Sequence, residues 1–227
     1  MNKLLSSMLA LAAVFGVVFS AQAQEAKPGD KTAGSMKVQM CLGCHNIPRY
    51  QSTFPEVYKV PKIAGQNARY IVSALTAYRK GDRKHPTMRS IAASLTDQDI
   101  ADVAAFYADL GKGGDAVAAQ PALQAPAEIT KLLAQAACAS CHGNNFNSPT
   151  DPSYPKLAGQ FSDYLYAALK AYQTSNNPHV GRNNAIMMGM ARPFTHTELK
   201  LLSSYLESLP GDVRTVPESR FRGASQF

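Results

Sequence analysis

Apolar residues return at helical spacing in two stretches that match position for position: Ile100, Val103, Tyr107 and Leu110, then Leu199, Leu202, Leu206 and Leu209. This i, i+3, i+7, i+10 spacing predicts one packed face on each of two helices. Thr96-x-x-Asp99 resembles a capping box at the first start, Thr195-x-x-Glu198 is one at the second, and Gly111 and Pro210-Gly211 mark the ends. Two middle helices, 67–80 and 161–174, share a Tyr-x3-Ala-Leu-x-Ala-Tyr pattern, with Gly81 placed to close the first. Asp30 is placed to cap a helix running to about Cys41, and Pro126 to open its counterpart through Ala137. No strand pattern competes, so the predicted fold class is all-α.

The match extends beyond the helices. Val60-Pro61-Lys62-Ile63-Ala64-Gly65-Gln66 aligns with Tyr154-Pro155-Lys156-Leu157-Ala158-Gly159-Gln160 at an offset of 94 residues, which widens to 99 at the last helix. Two tandem domains related by an internal repeat follow. Their expected bounds are 24–111 and 127–210, joined by a linker of Gly, Ala, Pro and Gln at 112–126 and followed by an aperiodic tail at 211–227. The segment 1–23 reads as a secretory signal: Lys3, an apolar run over 4–19, and a cleavage site at Ala21-Gln22-Ala23. The apolar run falls short of the ~20 residues that span a bilayer.

At an offset of 97 stand two copies of Cys-x-x-Cys-His, Cys41 to His45 and Cys138 to His142, which use all four cysteines of the chain. Paired thiols at this spacing add across the vinyl groups of a haem, and the adjoining histidine binds its iron. A disulfide, a redox dithiol or a four-cysteine zinc site would leave the histidine after each pair unexplained. The sequence therefore predicts two covalently bound haem c groups, attached through Cys41, Cys44, Cys138 and Cys141, with His45 and His142 as iron ligands.

Each iron needs a second ligand if it is to pass electrons only. The remaining histidines, His85, His179 and His196, read as exposed polar residues in or beside loops. Met88 stands in a loop-like stretch seven residues before Leu95, and Met187, Met188 and Met190 occupy the matching region. The offset of 99 carries Met88 onto Met187, Arg89 onto Met188 and Ile91 onto Met190, so Met88 and Met187 are the predicted ligands; an insertion inside the loop would shift this by a residue. Tyr78 and Tyr172 read first as core, and as haem-propionate contacts second. Pro61 and Pro155, 16 and 13 residues beyond the histidines, read as rigid turns whose carbonyls are free to accept a hydrogen bond.

The chain of 227 residues has a formal net charge of +7, which becomes +6 without Lys3. Its basic residues form no run, which argues against nucleic acid and for redox partner proteins with acidic docking faces.

Together the signal, the tandem pentapeptides, the Pro-Lys-x-Ala-Gly-Gln turns and the methionine before a Leu-Thr or Phe-Thr helix start resemble the cytochrome c4 family. The resemblance implies two tandem class I cytochrome c domains with Met88 and Met187 where that class places its methionine ligand. It also implies that the Pro61 and Pro155 carbonyls take the histidine Nδ1–H. As a function it implies a periplasmic electron carrier and not an enzyme, soluble or membrane-associated and a monomer, serving a terminal oxidase, reductase or other respiratory complex. Asn46-Ile47-Pro48, in place of the usual glycine after His45, and an insertion through Tyr58 depart from the family pattern. The rival is the haem subunit of a flavocytochrome or other periplasmic dehydrogenase, for which 216–227 is the candidate interface. A two-haem peroxidase would need an open iron site, which a methionine for each haem argues against.

Overall fold

Polar side chains at helix starts set the boundaries of the elements. In the computed structural model, which describes residues 28–113 and 124–218, the Asp30 carboxylate accepts the Thr32 N–H at 2.7 Å and opens α1 (Lys31–Lys37), followed at once by α2 (Gln39–His45). A two-residue hairpin, β1 (Gln51–Ser52) and β2 (Tyr58–Lys59), precedes α3 (Ala68–Lys80), which Gly81 closes in the left-handed conformation. Then come β3 (Arg83–Lys84), α4 (Pro86–Ala93) and α5 (Asp97–Leu110). The second half repeats the plan with α6 (Ala127–Gln135), α7 (Cys138–His142), α8 (Ser162–Gln173), β4 (Gly181–Arg182), α9 (Ala185–Ala191) and α10 (His196–Ser208). Both α5 and α10 begin in complete capping boxes, Asp99 serving as well as Glu198.

The repeated turns are anchored alike. Gly65 and Gly159 sit at φ of +82° and +74°, a region open to glycine, and each donates its N–H at 2.9 Å to a carbonyl of the last helix of its half, Tyr107 and Leu206. The matching apolar faces are buried as the periodicity predicts, with Ile100, Val103 and Tyr107 in one cluster, Leu199 and Leu202 in a second, and Leu206 and Leu209 in a third.

In the first half α1 is also clasped to α5 electrostatically. Asp102, its side chain 4% exposed, accepts the Asp30 N–H at 2.8 Å, the Gln98 amide at 2.9 Å and the Lys37 ammonium at 2.7 Å. The Asp30 N–H and Lys37 hold the Asp102 carboxyl below the usual carboxylate range, and Lys37 with Thr96 brings Asp99 to about 2. A carboxylate depressed on folding adds stability above its unfolded value near ~3.9 and loses it as pH falls toward the folded value. Asp102→Ala, which strands the Asp30 N–H, is expected to cost about 1–3 kcal/mol in urea unfolding at pH 7, and the cost should shrink as pH is lowered from 4 toward 2.

The halves embrace each other across a seam. β3 pairs antiparallel with β4, Arg83 opposite Arg182. Gln66 and Gln160, each 4% exposed, bind the backbone N–H and C=O of Lys156 and Lys62 respectively at 2.8–3.0 Å. The insertion after His45 is an arm onto the second half: Lys59 reaches Asp163 through its N–H (3.1 Å) and its ammonium (2.9 Å), Glu56 pairs with Lys170, and Tyr58 packs on Tyr164 at 5.9 Å. In return the stretch 211–218 crosses onto the first half, where Arg214 bridges Ala64 and the Val216 carbonyl accepts the Asn46 amide at 2.7 Å. The leader, the middle of the linker and residues 219–227 of the tail lie outside the described residues.

Candidate haem sites

The helix α2 ends on the first pentapeptide and α7 is the second. Burial pushes the Cys41 thiol up to about 11 and raises that of Cys138. A redox dithiol is favoured by a depressed thiol, and burial moves Cys41 and Cys138 the other way. Among the described residues no three His, Cys, Asp or Glu side chains converge on one point, so the four cysteines do not share one ion.

Both motif histidines are fixed in the same way. His45 Nδ1 lies 2.9 Å from the Pro61 carbonyl and His142 Nδ1 3.0 Å from that of Pro155, so in each ring Nδ1–H donates and Nε2 keeps its lone pair for a metal. Burial lowers the pKa of both rings, more than the proline carbonyls raise it, which keeps them neutral at neutral pH.

Facing the histidines are α4 and α9, where the sequence suggested loops. Pro86 presets the first turn of α4, and His85 caps it by accepting the Met88 N–H on Nδ1 at 3.3 Å; in α9 the Asn184 side chain accepts the Met187 N–H at 3.0 Å. His85 and Asn184 are 99 residues apart, as are Met88 and Met187. Both of these methionines line the cavity described below. Met190 also touches it but is 40% exposed, whereas Met188 is 37% exposed and turned away. His85 is thus a half-buried cap beside Tyr58 and Tyr78, not an exposed loop residue, whereas His179 and His196 lie on the surface.

One cavity of about 800 Å³ runs through both halves and receives all four cysteines, both histidines, Met88 and Met187. Its walls are apolar, with Leu75, Ile91 and Val103 on one side and Leu165, Leu199 and Leu202 on the other. At the seam lie two guanidiniums, that of Arg83 buried and that of Arg182 partly buried. Arg83 stacks on Tyr78 at 4.6 Å and donates to Tyr164 Oη (2.5 Å) and Tyr70 Oη (3.2 Å); Arg182 stacks on Tyr172 at 5.4 Å and donates to the same Tyr164 Oη at 3.2 Å. Neither meets a carboxylate among the described residues, and Arg83 Nε has no hydrogen-bond partner there. Burial alone would raise the Tyr164 hydroxyl, but the Arg83 and Arg182 cations bring it below the usual phenol range.

Buried cations without anions are costly unless a ligand supplies the charge. A haem brings an apolar macrocycle with two propionates, so the cavity walls, the thiols and the cationic seam fit two such groups. This seam is not legible from local pattern, because Arg83 and Arg182 look like ordinary surface cations until the offset of 99 pairs them.

Comparison with known proteins agrees. A family model described as cytochrome c matches residues 126–210. Cytochrome c4 of Stutzerimonas stutzeri is 31% identical over 92% of this chain and 100% of its own length. The chain belongs to the cytochrome c4 family. The crystal structure of reduced recombinant cytochrome c4 from Pseudomonas stutzeri superposes with a TM-score of 0.60 at 26% identity, covering 80% of this chain and all of that one. Cytochrome c4 is a dihaem class I cytochrome, so this chain is an all-α electron-transfer protein of two tandem cytochrome c domains carrying two haem c groups. A protein of Stutzerimonas stutzeri named thiosulfate dehydrogenase electron acceptor is also similar, 28% identical over 88% of this chain and 94% of its own.

Proposed function

We propose that this cytochrome c4 is a periplasmic carrier that takes electrons from a dehydrogenase or respiratory complex and delivers them to a terminal oxidase or reductase. Cys41 and Cys44 would hold one haem and Cys138 and Cys141 the other, with His45 and Met88 available to one iron and His142 and Met187 to the other. Bound haem supplies the one-electron chemistry. The protein's part is to fix each ligating imidazole on a proline carbonyl, to exclude water with apolar walls, and to compensate the propionates with Arg83 and Arg182. A thioether donor beside a neutral imidazole would favour ferrous iron and raise the potential.

The observation that supports this reading is one cavity lined by the cysteines, histidines and methionines of both halves, which would hold two haems within a common protein-enclosed space. Among the described residues no helix is long and apolar enough to cross a membrane, which is compatible with a soluble or peripherally attached monomer. The domain bounds 24–111 and 127–210 remain part of the proposal, with 211–218 now assigned as a strap on the first domain.

The rival reading, a permanent subunit of a dehydrogenase, draws on the likeness to an electron acceptor of thiosulfate dehydrogenase. It needs a large apolar interface, and Val216, the start of the candidate segment, is already packed in the first domain's own core. Haem staining after denaturing electrophoresis, with intact mass, is expected to give an increment of two haems per chain; one haem, or haem extracted by acidified solvent, overturns the assignment. Gel filtration of native periplasm should return the haem signal at the size of a single chain, and elution with a larger catalytic subunit would favour the rival.

A further inference from the structure

The two domains differ sharply in charge. Between residues 28 and 113 there are twelve Lys and Arg against seven Asp and Glu, a net of +5, whereas residues 124–218 hold seven of each, a net of zero. Internal pairing does not consume the excess: Glu56, Asp97, Asp99, Asp102 and Asp109 are all ion-paired, so five of the first domain's seven acids are already engaged. Arg83 is buried at the seam and Lys59 pairs with Asp163 of the second domain, whereas Lys80, Lys84 and Arg89 carry part of the excess on the exposed surface.

The repeat shows where. On the first domain the end of α3 and the outer side of α4 carry Lys80, Lys84 and Arg89, all exposed. The Arg89 guanidinium lies over Gly81, within 3.9 Å of where a Cβ there would stand, beside Lys80. Lys80 and Arg89 form no ion pair among the described residues, and Lys84 donates to the Asn177 carbonyl at 2.7 Å. Asp82 is the carboxylate in the same stretch and accepts the Asn183 amide at 3.3 Å; Arg79 and Asp97 cancel each other. The surface keeps a net positive charge. On the second domain the corresponding positions are Thr174, Asn183 and Met188, and α9 exposes Ile186 (60%) and Met190 (40%) as well, with Arg192 its exposed cation. One structural surface has been made cationic in one copy and apolar in the other.

We propose that an acidic redox protein docks on the first domain over Lys80 and Arg89, on the outer side of the helix bearing Met88, and that the matching surface of the second domain takes no part in this charge-steered encounter. The inference rests on the carrier reading above and adds to it the end at which an acidic partner engages. Charges on a docking rim set the association rate and its salt dependence more than the stability of the complex. Exchange at the second domain should consequently be insensitive to ionic strength, since its contacts there are apolar.

The test uses the reduced dihaem protein, mixed in a stopped flow with an acidic blue-copper protein as oxidant. The parent's second-order rate is expected to fall about ten-fold as salt shortens the screening length below ~10 Å. Lys80→Glu with Arg89→Glu should lower the low-salt rate about ten-fold and flatten the salt dependence. Thr174→Glu with Met188→Glu, which adds the same kind of charge to the other copy, should change the rate less than about two-fold. Equal losses in both double variants, or none in the first, overturn the proposal. So does loss of binding to phosphatidylserine vesicles in the first double variant with its rate to the protein oxidant unchanged, which would assign the surface to an anionic membrane. Oxidation by benzoquinone, a small neutral oxidant, should be the same in all three proteins. If it is normal while docking is unaffected, the carrier reading stands and only the docking assignment fails.

Discussion

Replacing Met187 by alanine is expected to remove about half of the weak red absorption that methionine gives to ferric haem, and to lower one of the two potentials by roughly 0.1–0.3 V, a fraction of the ~0.8 V range that axial ligands cover. Met188→Ala and Met190→Ala should leave both the band and the potentials in place. The expectation comes from the way α9 is started. The Asn184 side chain holds the Met187 N–H at the third helical position, as His85 holds that of Met88, so the two thioethers leave equivalent turns toward the same cavity. Met190 is one turn further along α9 and 40% exposed. Loss of the band in Met190→Ala, with Met187→Ala retaining it, would show that the register in the second domain is displaced by one helical turn. Asn184→Ala offers a milder check: loss of the cap should cost about 1 kcal/mol and loosen the thioether without abolishing ligation.

Gln66→Ala combined with Gln160→Ala is expected to cost about 4 kcal/mol or more and to split thermal unfolding into two transitions. Each carboxamide occupies the place that a neighbouring strand would fill, giving one donor and one acceptor to the backbone of a lysine in the other domain. Truncation strands a buried N–H and a buried C=O together, at about 1–3 kcal/mol for each unsatisfied group. The two residues are mates under the repeat, 94 positions apart, so the seam loses the same support on both sides. Glu56→Ala, which removes a partly exposed ion pair of the arm with Lys170, should by contrast cost less than about 1 kcal/mol. A double variant that still unfolds in one transition within about 1 kcal/mol of the parent would mean that the paired strands and the arm hold the domains together without the glutamines.

The parts of this architecture that were legible in the sequence are those fixed by local chemistry. The capping boxes, the apolar faces of α5 and α10, the haem pentapeptides and the proline turns each depend on residues a few positions apart, and each appears where its pattern placed it. The helical state of the methionine segments was missed because seven or eight residues show little periodicity, although Pro86 after His85 and Asn184 before Ala185 were start signals in plain view. The arm of β1 and β2 could not be foreseen, since its use depends on Asp163 and Lys170 more than a hundred residues away. Arg83 and Arg182 were opaque for the same reason: only the pairing of β3 with β4 across the seam takes them out of solvent.

The return of residues 211–218 onto the first domain has a consequence for how the protein is made. Asn46, next to His45, accepts from the Tyr107 hydroxyl (3.0 Å) and donates to the Val216 carbonyl, so the surroundings of the first pentapeptide are completed by chain synthesised after both pentapeptides. The Asn46 amide thus gains this partner only once the last residues of the second domain and the strap beyond it have emerged, which ties the packing beside the first motif to the far end of the chain.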